Sequence, residues 1–113
     1  QDSPVSANVG PPEALPGSRT QRKLRAIGFN KPCEVTVLYP VAKRVTVDVR
    51  TIERSLDVDL FIRDASNTLV AGDSSVGPDS HVTFNAQAGR SYRFKIMNRS
   101  AGTATSTVIY TTP

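Results

Sequence analysis

Five aspartates, Asp57, Asp59, Asp64, Asp73 and Asp79, fall in one stretch whose only basic residue is Arg63. Carboxylates are what a hard cation such as Ca²⁺ takes, completed by Asn, Ser and backbone oxygens. Asp57 and Asp59 are two apart, so on a strand they project from one face, where Asp64, Asp73 and Asp79 can approach from following loops. The spacing matches no defined calcium loop. Solvated or turn-capping carboxylates therefore stand beside a bound Ca²⁺ as readings of this block.

Asp79-Ser80-His81 brings together the residue types of a hydrolytic triad. Neighbours on a strand point to opposite faces, so Ser80 and His81 cannot share the required hydrogen bond, and His81, out of phase with Val82 and Phe84, is expected to face solvent. G-x-S-x-G, H-E-x-x-H, C-x-x-C and a phosphate-cradling glycine loop are all absent. The lone Cys33 excludes an internal disulfide and the lone His81 a multi-histidine metal cage. Cys33 alternates in phase with Val35 and Val37 and reads as a small buried hydrophobe, with a reactive thiol as the alternative. No enzyme is expected.

The cationic residues fall in two groups. Arg93, Lys95 and Arg99 share the outer face of one alternating run, and Arg22, Lys23 and Arg25 belong to a stretch from Arg19 to Lys31 with five basic residues and no acidic one. Charges that keep a strand soluble are the plain account; a basic surface for an acidic partner is the functional one. Nucleic acid would want exposed aromatics among the charges, and only Phe29, Tyr39, Phe61 and Tyr110 are candidates. A protein or polysaccharide at the cell surface or outside the cell is the expected partner, an anionic polymer suiting the charge.

The elements that must position these residues are strands. Val45, Val47 and Val49 alternate with Arg44, Thr46, Asp48 and Arg50; Leu56, Val58, Leu60 and Ile62 alternate with Asp57, Asp59, Phe61 and Arg63; Tyr92, Phe94 and Ile96 alternate with Arg93, Lys95 and Met97. Period-2 alternation marks antiparallel strands buried on one face. Turn residues separate the runs, which predicts eight strands near 24–30, 33–39, 43–51, 56–63, 68–72, 80–85, 91–98 and 104–111. A helical turn at 20–25 is the alternative to a first strand there. The expected core is Val35, Val37, Val45, Val47, Val49, Val58, Leu60, Ile62, Leu69, Val82, Phe84, Tyr92, Phe94, Ile96 and Val108.

At 113 residues and net charge +4 the chain has room for one small domain. No apolar run approaches the roughly 20 residues of a spanning helix. Residues 1–18 hold Pro4, Pro11, Pro12 and Pro16 among Gly and Ser and read as an arm or linker, flexible or laid along a sheet edge. The sandwich domain is placed at 19–113. A polar first residue other than Met suggests what remains after a secretory signal is removed. Asn98-Arg99-Ser100 forms an N-glycosylation sequon, relevant only in a eukaryotic secretory pathway.

The runs Val45-Thr46-Val47-Asp48-Val49, Asp57-Val58-Asp59-Leu60-Phe61-Ile62-Arg63-Asp64, Asn67-Thr68-Leu69-Val70-Ala71 and Ala88-Gly89-Arg90-Ser91-Tyr92-Arg93-Phe94-Lys95-Ile96 together resemble the bacterial pre-peptidase C-terminal domain family. The resemblance spans roughly residues 24–111 and implies an all-β, jelly-roll-like antiparallel sandwich. Such modules are appended to secreted proteases and other exported hydrolases. Some relatives bind calcium or help an enzyme engage insoluble substrates, which implies a secreted or periplasmic, non-catalytic binding or accessory module with Ca²⁺ as its one candidate cofactor. A structural or export domain of a larger hydrolase is the alternative. The acidic linker motif of calcium-binding relatives is absent, since residues 19–31 are basic.

Overall fold

The computed structural model describes residues 20–112, so the Pro-rich arm at 1–18 lies outside the described residues. Eight strands form in chain order: β1 (Thr20–Leu24), β2 (Pro32–Tyr39), β3 (Lys43–Thr51), β4 (Val58–Asp64), β5 (Leu69–Asp73), β6 (Ser80–Ala86), β7 (Arg90–Asn98) and β8 (Thr107–Thr112). They make two four-stranded sheets, ordered β1-β8-β3-β6 and β2-β7-β4-β5, with antiparallel pairing throughout. The protein is an all-β antiparallel sandwich. Among the described residues no helix is long and apolar enough to cross a membrane.

The valine alternation does the work the sequence suggests. Val45, Val47 and Val49 of β3, with Val82 and Phe84 of β6, are buried against Val58, Leu60 and Ile62 of β4 and Tyr92, Phe94 and Ile96 of β7. β-Branched side chains fill a pleated, one-sided surface well, which is why Val-rich runs settle as strands. Phe84 lies at the centre of an edge-on aromatic group, with ring centroids 6.1 Å from Tyr39, 5.1 Å from Tyr92 and 6.1 Å from Phe94. Cys33 is buried in this core, as its phase with Val35 predicts, and burial raises its pKa.

Four expectations need correction. The first strand is 20–24, with neither a helical turn there nor a strand over 24–30. Past Leu24 the chain crosses between sheets: Ile27 exchanges two 2.9 Å backbone hydrogen bonds with Ala104, and Phe29 forms an isolated bridge to Asn98. Ile27 is the one buried residue of that crossover, and its same-phase neighbours Arg25 and Phe29 are exposed. The closing strand starts at Thr107, and the pairing of Ile109 with buried Val49 places Ile109 inward and Val108 on the outer face. Leu69 is 49% exposed, because β5 is an edge strand whose register with β4 breaks between Ile62 and Arg63. Val37 is only half-buried against the core.

Asn98 is the polar pin of the molecule. It is fully buried; its Nδ2 donates to the carbonyls of Ile27 and Gly102, both at 3.0 Å, and its Oδ1 accepts from the Ser100 N–H at 3.0 Å. One amide thus ties the crossover, β7 and the following loop. Burial also closes the sequon at Asn98 to glycan transfer in the folded chain.

Candidate functional site

The aspartates separate when the strands form. Asp57 Oδ1 accepts from the Gly77 N–H at 3.2 Å, and Asp64 Oδ1 accepts from the N–H groups of Ser66 and Thr68, both at 2.9 Å, closing the β4–β5 turn. Asp73 takes the Ser75 N–H and hydroxyl on one oxygen and the His81 N–H on the other. Burial works against its charge, yet these hydrogen bonds hold its pKa below the usual range. Asp79 is paired by both oxygens with Arg54, at 2.8 and 2.9 Å, and that pair keeps it ionised.

Asp59 is different. It is 6% exposed and its Oδ1 meets no hydrogen-bond donor. Burial raises its pKa, the charges of Asp57 and Asp73 raise it further, and Arg99 opposes them. Asp57 and Asp73 therefore each lie within electrostatic reach of Asp59, while Asp64 and Asp79 are engaged elsewhere. Among the described residues no three of His, Cys, Asp and Glu stand in an arrangement that could hold a metal ion.

Asp79-Ser80-His81 divides as strand geometry requires. Buried Ser80 donates its hydroxyl to the Val58 carbonyl at 2.5 Å, exposed His81 reaches across to Asp48 at 2.5 Å, and Asp79 stays with Arg54. The three side chains serve three separate partners.

The six cations singled out in the sequence also divide. Arg22 lies on the inward side of edge strand β1, where burial lowers its pKa, whereas Lys23 and Arg25 are exposed. Arg99 follows β7 and faces Asp59 electrostatically. Arg93 and Lys95 alternate with buried Tyr92, Phe94 and Ile96, so both stand on the outer face of the β2-β7-β4-β5 sheet.

There they meet residues that the sequence reading did not assign to a basic surface. Arg63 of β4 is the register partner of Arg93, and Lys95 lies between Glu34 of β2 and Phe61 of β4. Asn67, in the turn after β4, has φ of 66° and accepts from both guanidiniums: Arg93 Nη2 donates to its Oδ1 at 2.6 Å and Arg63 Nη1 to its carbonyl at 3.2 Å. Asn tolerates this left-handed conformation better than most residues. Glu34, Arg63, Asn67, Arg93 and Lys95 line a depression of about 280 Å³. No carboxylate lies within ion-pair distance of Arg63, Arg93 or Lys95 among the described residues. The signal for Arg63 was its phase opposite to Leu60 and Ile62, masked by the acidic stretch around it. Asn67 gave no signal beyond its turn chemistry.

Two four-stranded antiparallel sheets make a β-sandwich with a polar cationic depression on one outer face. No family model matches the chain, and no curated protein does either. Among solved structures it is similar to the pre-peptidase C-terminal domain of a collagenase from Bacillus anthracis, with a TM-score of 0.59 and 18% identity over 93% of this chain and 98% of that one. The chain thus has the pre-peptidase C-terminal domain fold, the fold its strand motifs resemble.

Proposed function

We propose that this chain is a non-catalytic accessory module of an exported protein and that it holds its carrier on an acidic polymer outside the cell. The observation that carries the reading is the gathering of Arg63, Arg93 and Lys95, against the single carboxylate of Glu34, in one depression on an outer sheet face. Cations crowded across neighbouring strands repel, so a fold that keeps them together is better suited to meeting an anion than to its own stability. The fold shared with a domain of a collagenase supports the accessory role and the extracellular location. Separate destinations for Asp79, Ser80 and His81 support the absence of catalysis.

The test is retention of the chain, fused to a fluorescent protein, on insoluble pectate and on neutral cellulose. Binding to pectate that falls steeply with added salt, with cellulose left bare, is the expected result. Equal retention on both matrices, or none on either, overturns the reading.

A further inference from the structure

We infer that the depression between Arg63, Arg93, Lys95 and Asn67 is a built cradle for one carboxylate or sulfate group of an acidic sugar, with Phe61 as the flank for the sugar ring. The inference rests on the function proposed above and gives that surface a single binding point.

The geometry begins with the turn. Asp64 fixes it by accepting from Ser66 and Thr68, while the Asn67 N–H donates to the Asp64 carbonyl at 2.9 Å. Asn67 is thereby placed to take one guanidinium on its side chain and the other on its backbone. Each bond uses one N–H of a group that carries five donors. The remaining donors of two planar forks and the Lys95 ammonium have no carboxylate partner and share one concavity with only Glu34 to offset them. Arg63 and Arg93 are direct cross-strand neighbours, so their β-carbons are about 5 Å apart, close enough for one small anion to meet both. Held by Asn67 beforehand, they lose less freedom on binding than two loose arginines would.

A sugar suits the site better than an acidic peptide for one reason. Phe61 is the register partner of Lys95 on this face and lies two residues before Arg63, about 7 Å along the strand. Its ring lies against Gly72, where an added Cβ would meet it at 3.1 Å, so the glycine is what lets the ring rest close to the sheet. An apolar ring at that distance from a paired-arginine site fits a pyranose that carries its acid on an exocyclic atom.

Affinity electrophoresis in gels containing polygalacturonate, dextran sulfate, neutral dextran or poly-L-glutamate tests this with the described domain in its full chain. Retardation by the two acidic glycans, and much less by the other two polymers, is expected. Arg63→Gln with Arg93→Gln should weaken glycan binding about tenfold or more, as charge-assisted hydrogen bonds are worth. Asn67→Gly, which keeps the left-handed turn but frees Arg93, should weaken it less while the melting temperature stays close to wild type. Lys23→Gln with Arg25→Gln removes the same charge elsewhere and should leave binding nearly unchanged. If the two charge-matched pairs weaken binding equally, attraction is only to net charge and the cradle falls, with the surface-binding function still standing. Equal retardation by poly-L-glutamate assigns the site to acidic peptides and also overturns the inference. No retardation of the wild type by any polymer overturns both readings.

Discussion

Replacing Asn98 by Ala should cost the domain about a fifth to three-fifths of its stability. The side chain makes three hydrogen bonds in a fully buried setting, to the carbonyls of Ile27 and Gly102 and from the Ser100 N–H. Each is worth about 1 kcal/mol net, so Asn98→Ala should lose about 3 kcal/mol, with Ile27 O keeping its bond from the Ala104 N–H as partial compensation. Small domains have about 5–15 kcal/mol to lose. At this size each kcal/mol moves the midpoint by about 4–8 °C, which gives a fall of about 12–24 °C in thermal unfolding followed by circular dichroism. Asn98→Asp keeps the acceptor for Ser100 but removes both donors and buries a charge, so it should fall at least as far at pH 7. A shift of less than about 4 °C for Asn98→Ala would refute the view that this amide pins the crossover to β7.

Three further outcomes follow from the carboxylates. Glu53 bonds the Thr105 hydroxyl and N–H and the Thr51 hydroxyl, which lowers its pKa to about 2. Its folded pKa lies below the unfolded one, so its contribution is present above about pH 4.5 and is lost as pH falls toward 2; Glu53→Gln should flatten the acid limb of the stability profile between those values. Asp59 has the opposite sign. Its raised folded pKa makes the charged form a liability, so Asp59→Asn should raise the melting temperature at pH 7 and have progressively less effect as the pH falls and the wild-type carboxyl takes up its proton. Four of the five aspartates of the acidic stretch are held by protein donors, so millimolar Ca²⁺ or a chelator should barely move the melting curve. A site with a dissociation constant near 10⁻⁴ M would add about 1.4 kcal/mol at 1 mM, so a rise of about 5 °C or more would contradict this.

Much of the fold was legible because the sandwich buries one face of each strand, and a period of two then writes itself into Val45 to Val49, Val58 to Ile62 and Tyr92 to Ile96. The crossover at 25–31 deceived the same rule. Arg25, Ile27 and Phe29 share one phase, yet Ile27 is buried while Arg25 and Phe29 are exposed, so the run makes isolated bridges and no strand ladder. Leu69 and Val108 were expected in the core; a register break turns Leu69 outward on its edge strand, and the pairing of Ile109 with buried Val49 leaves Val108 on the outer face. For the site, the outer-face phase of Arg93 and Lys95 could be read directly. Their neighbours Arg63 and Glu34 come from other strands and depend on register, which no local pattern records. Asn67 matters through a backbone carbonyl and a left-handed turn, and any turn residue could have occupied that place in the sequence.

The most direct measurement is a titration of the ¹⁵N-labelled chain with a short oligogalacturonate, followed through backbone amide and arginine side-chain resonances. The account predicts saturable shifts centred on Arg63, Asn67, Arg93 and Lys95, with the β1-β8-β3-β6 sheet and the Asp57–Asp59 end unmoved. Shifts centred on Lys23 and Arg25, or spectra unchanged at millimolar sugar, would contradict it.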